Sequence, residues 1–270
     1  MGNAEIIVPF LKWAGGKRWL VQHDDFELPE FSGRYIEPFL GSGSVFFALQ
    51  PKKAILSDVN AELITVYKAI RDEHELVLRY LKVHANRHNK KYYYHIRDEA
   101  KPTSLSGQAA RFLYLNRTCW NGLYRVNLKG KFNVPKGTKS KVMLDTDDFE
   151  GASKALMAAT LVRSDFAPIV DMAEKGDLIY ADPPYTVHHN MNGFIKYNEV
   201  LFSWEDQTRL RDCLIRASER GAAVIVSNAN HPSIQKLYSG VGELVKFDRA
   251  SIISGKVAGR KITSEVLIRL

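Results

Sequence analysis

Arg34-Tyr35-Ile36-Glu37-Pro38-Phe39-Leu40-Gly41-Ser42-Gly43-Ser44 is the stretch on which the fold turns. A short strand over Arg34–Ile36 runs into a glycine turn, and Val45, Phe46, Phe47, Ala48 and Leu49 then open an apolar helix. Ala54-Ile55-Leu56-Ser57 follows as a second short strand ending at Asp58. Strand, glycine turn, helix, strand and acid is the order a nucleoside-binding βαβ unit requires. Asp58 stands 17 positions after Gly41, close to the ~20 expected of an acid that binds ribose hydroxyls. Glu37, Gly41, Gly43 and Asp58 are therefore candidate cofactor contacts.

The same alternation returns further on. Asp177-Leu178-Ile179-Tyr180-Ala181 reads as a buried parallel strand running into Asp182-Pro183-Pro184-Tyr185. Ser203 and Asp206 have capping-box spacing, and Leu210, Cys213, Leu214 and Ala217 recur at helical period. Gly221 stops that helix before the strand Ala222–Val226, and Ser251–Ile253 with Val266–Ile268, joined through Gly255 and Gly259, read as a terminal hairpin. Strands alternating with helices at both ends of the chain predict a doubly wound, mostly parallel α/β sheet.

The middle of the chain breaks the rhythm. From Ala61 to about Leu144 it reads as helix and then loop, rich in Tyr, Asn, Lys and Arg. Between Arg111 and Lys141 there are eight basic residues and no acidic one. Alone, such a run is a solvated face. Here it interleaves with Asn116, Trp120, Asn121, Tyr124, Asn127, Phe132 and Asn133, the mixture that contacts to phosphates and base edges need. Residues 61–144 are accordingly expected to be an inserted nucleic-acid-recognition domain. Residues 1–60 and 145–270 would form a discontinuous catalytic domain.

Composition sets outer bounds. The 270 residues are 45% hydrophobic and 25% charged, with a net charge of +8 that suits a polyanionic partner. The two cysteines lack metal-ligand spacing, so neither a zinc site nor a disulfide framework is expected, and a reducing cytoplasm fits. The first residues show no secretory leader, and no apolar run is long enough to span a bilayer. No membrane association is expected.

Asp182-Pro183-Pro184-Tyr185 carries the chemistry. Two prolines stiffen the turn, so the Asp182 carboxylate and the Pro183 carbonyl present two acceptors to one spot. An amino group conjugated to a purine is a poor nucleophile. Acceptors on its hydrogens favour a pyramidal nitrogen and offset the charge that develops during attack. Tyr185 offers an aromatic face for an extruded base. Phe10-Leu11-Lys12-Trp13-Ala14-Gly15-Gly16-Lys17 is the second signal: its glycines admit a ligand close to the backbone, flanked by Trp13 and Lys17, the latter suited to a carboxylate. A phosphate-binding P-loop is excluded, since Arg18 stands where Ser or Thr is required.

Taken in order, Phe10–Lys17, Glu37–Ser44, Ser57–Asn60, Asn116–Pro135 and Asp182–Tyr185 resemble the DNA adenine methylases, the Dam group of N6-adenine methyltransferases, over nearly the whole chain. The resemblance implies a Rossmann-like class I methyltransferase fold with a helical target-recognition insert, S-adenosylmethionine as methyl donor, and no metal. It implies that Trp13, Lys17, Asp58 and Asp182 line the cofactor pocket, and that Asp165 and Phe166 hold its adenine. Asn121, Leu123, Arg125 and Pro135 resemble the segment that reads and wedges double-stranded DNA. Lys12, Lys129 and Asn133 are expected to join them as DNA contacts, and the recognised sequence is expected to be GATC. The chain is expected to work as a monomer or weak dimer.

Other readings stay open on the residues alone: amino-methylation of cytosine N4, RNA adenine or a protein glutamine, or a catalytically silent DNA-binding relative. Cytosine C5 chemistry needs a Pro-Cys thiolate, which is absent, and Cys119 is not expected to be a nucleophile. A nicotinamide oxidoreductase is disfavoured by Phe46 where the third glycine of GxGxxG belongs. His188-His189 is read as loop, and Tyr92-Tyr93-Tyr94 in part as packing.

Overall fold

The computed structural model describes residues 7–127, 129–186, 202–250 and 262–270. The elements run α1 (Arg18–Val21), β1 (Tyr35–Glu37), α2 (Ser44–Leu49), β2 (Ala54–Asp58), α3 (Ala61–Arg87), α4 (Lys90–Asp98) and α5 (Leu105–Thr118). A 3-10 turn at Trp120–Gly122 precedes α6 (Phe149–Leu156), β3 (Ala159–Arg163), α7 (Phe166–Asp171) and β4 (Leu178–Ala181). Last come α8 (Trp204–Glu219), β5 (Ala223–Ala229), α9 (Pro232–Leu237), β6 (Glu243–Ala250) and β7 (Ile262–Arg269).

The strands form one seven-stranded sheet in the order β3-β2-β1-β4-β5-β7-β6. β1 pairs in parallel with β2 and β4, and β4 with β5, while β7 runs antiparallel to β5 and β6. This is the expected mostly parallel α/β sheet closed by a hairpin. The hairpin's first described arm is Glu243–Ala250. Ser251–Ile253, Gly255 and Gly259 lie outside the described residues, as do His188 and His189.

By packing, the chain divides into two compact units. The first comprises Met1–Glu27, Leu40–Lys52 and Asp58–Arg163 and is mainly helical. Asn60 caps α3 by accepting from Leu63 N, and Leu63, Val66, Tyr67, Ile70, Val77 and Leu81 supply its buried stripe. α3 kinks at Glu73, whose carboxylate accepts from Ser106 N in the first turn of α5. α5 is buried along most of its length, which makes it the core helix of this unit. Segment 61–144 lies wholly within this unit.

The second unit comprises Leu28–Phe39, Lys53–Ser57 and Ser164–Leu270. Tyr35, Ile36, Leu178, Ile179, Val224, Ile225, Val226 and Leu267 are almost wholly shielded from solvent, as a sheet covered on both faces demands. The capping box of α8 is formed: Ser203 Oγ accepts from Asp206 N at 3.1 Å and Asp206 Oδ2 accepts from Ser203 N at 3.0 Å. Gly221 ends the helix in the left-handed region. Arg34 and Asp177 tie the starts of β1 and β4 together through a 2.7 Å ion pair.

Candidate active site and nucleic-acid interface

In the first unit, two glycine turns and one acid come together. Gly41 and Gly43 adopt φ of +47° and +64° on the way into α2. A Cβ on Gly41 would lie 2.9 Å from Cδ1 of Trp13, so the indole covers backbone that only glycine leaves open. Asp58 Oδ2 accepts from Gly41 N at 3.2 Å and Oδ1 from Asn60 N at 2.9 Å. Burial pushes the Asp58 carboxyl up, against the backbone amides of Asn60, Gly41 and Val59 that hold it down. Lys17 is only 2% exposed, and its Nζ donates to Gly15 O at 2.7 Å. A buried ammonium, a carboxylate held by amides and an aromatic plate over uncovered backbone fit a ligand bearing a carboxylate, sugar hydroxyls and an apolar body.

In the second unit, Asp182–Tyr185 leaves the carboxyl end of β4, where α/β sheets bind their ligands. Pro183 is buried, and Asp182 and Tyr185 are half-buried. Gln207 Nε2 donates to Pro184 O at 3.1 Å. The Tyr185 hydroxyl donates to Glu265 Oε2 at 2.7 Å and lies 3.2 Å from Ser227 Oγ. Burial, with the Asp182 and Glu265 carboxylates beside it, pushes the Tyr185 phenol well above its usual range. Glu37, buried at the end of β1, accepts from Tyr35 OH at 2.9 Å. Burial and then the Glu37 carboxylate, with Tyr180 and Asp182 further contributing, raise the Tyr35 phenol too. Asp165 caps α7 through Ala167 N and takes a two-pronged bond from Arg209 at 2.8 and 2.9 Å. The same guanidinium sits 4.1 Å over the Phe166 ring, and Phe166 packs between Phe39 and Phe202.

The predicted DNA contacts of the first unit gather on one irregular hairpin. Val126 bridges Phe132, Asn133 N donates to Arg125 O, and Asn133 Oδ1 accepts from Arg125 Nε at 3.0 Å. Asn121, with φ of +55°, Arg125, Lys129, Lys131 and Pro135 are exposed, while Leu123 and Asn133 are half-buried. Lys12 is tied to α5. Its backbone exchanges two hydrogen bonds with the Asn116 amide, N to Oδ1 at 2.9 Å and Nδ2 to O at 2.7 Å.

Two residues of the basic, amide-rich run are buried and have their polar groups bonded inside the fold. Asn116 is 2% exposed and its amide is spent on Lys12 and Gly122. Arg117 is 1% exposed and pairs with Asp147. Buried polar groups must find partners, and both have found them inside the helical unit. Tyr93 likewise packs, donating to Val134 O at 2.9 Å. Cys119 is buried with its thiol pushed up to about 11 by burial, which leaves it a poor nucleophile. Among the described residues no group of three or more His, Cys, Asp or Glu could hold a metal ion, and no helix is long and apolar enough to cross a membrane.

Sequence reasoning missed Glu265, Ser227, Gln207 and Asn228, which belong to no motif. The available signal was a carboxylate set within the apolar run of β7.

Comparisons with known proteins agree on one family. The sequence profile of the D12 class N6 adenine-specific DNA methyltransferases matches residues 13–254. The chain is 35% identical to the Type II methyltransferase M1.LlaDCHI of Lactococcus lactis subsp. cremoris, over 96% of this chain and 94% of that protein. It is 35% identical to a DNA adenine methylase of Vibrio cholerae, over 96% of this chain and 94% of the other. It is 33% identical to the Type II methyltransferase M.MjaIII of Methanocaldococcus jannaschii, covering 87% and 89% respectively.

Proposed function

Because the chain belongs to the D12 class of N6 adenine-specific DNA methyltransferases, we propose that it methylates a flipped-out adenine of double-stranded DNA within GATC by direct in-line transfer. Adenine-N6 methylation of DNA is the family's reaction. S-adenosylmethionine, the donor that a methyltransferase family implies, supplies an electrophilic methyl group when bound.

The chain's own residues do the rest. Asp182 and the Pro183 carbonyl accept from the two hydrogens of the adenine amino group. They draw the nitrogen toward a pyramidal nucleophile and offset the positive charge it gains. Tyr185 supplies the platform on which the extruded base stacks. Lys17 pairs with the cofactor's carboxylate, and Asp58 accepts from its ribose hydroxyls. Trp13, Gly41 and Gly43 in the first unit, and Glu37, Asp165 and Phe166 in the second, are the remaining cofactor residues. Residues 61–144 recognise the target. Lys12, Lys129 and Asn133 would contact the backbone, and Asn121, Leu123, Arg125 and Pro135 the base pairs. The reading needs no metal, and it has the chain acting on intracellular DNA in the cytoplasm as a monomer or weak dimer. Relatives named as Type II methyltransferases favour a restriction-modification role.

The observation that carries the mechanism is the Asp182–Tyr185 turn at the end of β4, with the Pro184 carbonyl and the Tyr185 phenol both held by buried side chains. Asp182→Ala should abolish methyl transfer and leave DNA affinity within about tenfold, because a charged acceptor at a transition state contributes ~3 kcal/mol or more. Labelled-methyl transfer measures the first quantity and a DNA titration the second. Activity above a tenth of wild type would remove Asp182 from this role.

A further inference from the structure

The four residues Asp182–Tyr185 are gripped at two separate points. Gln207, fully buried on α8, donates to the Pro184 carbonyl, and its own Oε1 accepts from Asn228 Nδ2 at 3.1 Å. Asn228 Oδ1 in turn accepts from Ala229 N at 2.8 Å. This chain fixes the backbone of the turn. The second grip acts on the aromatic ring alone. Glu265 is 7% exposed on β7, Ser227 is fully buried on β5, and both meet the Tyr185 hydroxyl. Ser227 Oγ also lies 3.5 Å from Glu265 Oε2.

A nearly buried carboxylate is costly to keep and seldom needed for stability, since an apolar residue of similar size commonly serves the fold as well. A hydrogen bond from a phenol to a carboxylate is short and stronger than one between neutral groups. The phenolic oxygen lies on the ring's own axis, but its O–H bond prefers the ring plane, so aiming that proton at Glu265 sets the plane of the ring and also holds its end in position. For a side chain whose work is to present one face, orientation is the property that matters.

We infer that Glu265, assisted by Ser227, is a positioning residue that sets the Tyr185 ring plane to receive the target base. The inference rests on the reading of Tyr185 as the base platform. Burial and the neighbouring carboxylates keep the Tyr185 phenol protonated, so the hydroxyl remains a donor throughout the working pH range. Glu265 reaches the ring through that hydroxyl, and the Gln207 grip holds the turn's backbone independently of it.

The test compares Glu265→Leu, Glu265→Gln, Tyr185→Phe, Tyr185→Ala and the double variant Tyr185→Phe with Glu265→Leu. Steady-state methylation of a duplex and the fluorescence of 2-aminopurine at the target adenine are the readouts, with thermal melting as the control for folding. Glu265→Leu should lower kcat by about tenfold or more, the worth of a charge-assisted hydrogen bond, and weaken the flipped-base signal. The KM for S-adenosylmethionine and the melting temperature should hold. Glu265→Gln, which keeps an acceptor oxygen, should recover most of the rate. In the Tyr185→Phe background Glu265→Leu should have no further effect. A folded Glu265→Leu with wild-type kcat overturns the inference, and so does an undiminished Glu265 effect without the hydroxyl. If Glu265→Leu does not fold, Tyr185→Phe decides, and wild-type kcat there overturns the inference. Full activity in Tyr185→Ala would sink the platform reading itself. An inactive Tyr185→Ala beside an unaffected Glu265→Leu would sink only the positioning role.

Discussion

Arg117 and Asp147 form a two-pronged ion pair inside the helical unit, with Nη1 and Nη2 each 2.7 Å from a carboxylate oxygen and side-chain exposures of 0% and 6%. The guanidinium also donates to Val142 O at 2.8 Å and Phe10 O at 2.9 Å. One buried cation thus fastens the start of the Phe10–Lys17 motif to α5 and to the chain leading into α6.

Asp147→Ala should therefore destabilise the protein by roughly 3–5 kcal/mol, because it strands a charge that water cannot reach. Urea unfolding measures this. A loss under about 1 kcal/mol would mean that the pair behaves as a surface contact.

The lysines proposed to meet DNA should separate by exposure. Lys129 and Lys131 stand exposed on a turn whose amides bond to Asn127 Oδ1, whereas Lys136 Nζ donates to Gly137 O. Neutralising Lys129 and Lys131 together should flatten the slope of log affinity against log salt by about 0.9 for each phosphate that no longer meets a cation. Lys136 should add less. An unchanged slope in the Lys129 and Lys131 pair would put the DNA elsewhere.

Gly41→Ala should weaken cofactor binding more than DNA binding. The new Cβ would press on Trp13 from 2.9 Å, at a φ that suits glycine. Trp13→Ala and Lys17→Ala should act in the same direction. Calorimetry with S-adenosylhomocysteine giving unaltered affinity in all three would remove this motif from the cofactor site.

Acid should loosen the helical unit. His84 Nδ1 lies 2.8 Å from Tyr92 OH, and its ring stacks on Tyr114 at 4.9 Å. Burial first, then Arg87 and Arg111, lower its pKa from 6.5 to about 4. The unfolded chain therefore takes up this proton before the folded one does. The neutral ring's contribution is complete above pH 6.5 and is lost as pH falls toward 4. The loss is roughly 2 kcal/mol, less than the whole shift implies because the ring is partly in water. Unfolding midpoints at pH 7.5 and 4.5 should converge in His84→Phe. An equal acid loss in that variant would assign the effect to other groups.

The alternating strands and the glycine turn were readable because burial on both sheet faces leaves continuous apolar runs such as Leu178–Ala181. β3 was not readable: of Ala159–Arg163 only Ala159 and Leu161 turn inward, too little pattern to separate from a loop. The Asp182–Tyr185 turn was legible as a local motif. The grip of Glu265 on Tyr185 spans 80 positions, and no local spacing encodes a contact made by a sheet neighbour. Within residues 61–144 residue type alone is ambiguous for the opposite reason. Arg117 and Asn116 look like DNA contacts by residue type, and only their burial reveals that they hold the segment up.

Recognition of guanine is expected to rest on Arg125. Asn133 Oδ1 binds its Nε at 3.0 Å, which aims the exposed guanidinium and leaves both terminal amino groups for the O6 and N7 of a guanine. Such a bidentate pair discriminates by ~1–3 kcal/mol. Arg125→Ala should accordingly raise methylation of sites altered at that guanine, relative to GATC, by roughly fivefold to a hundredfold, with cofactor affinity unchanged. Asn133→Ala keeps the arginine but frees its stem, so its effect should fall in the same direction and be smaller. Asn121 and Leu123 sit on the same hairpin's approach, where a small side chain can fill the gap left by an extruded base. The measurement is methylation mapping of a genome otherwise free of the mark, in wild type and in Arg125→Ala. A wild-type motif without GATC at its centre would end this assignment. Unaltered discrimination in Arg125→Ala would pass the guanine contact to another residue.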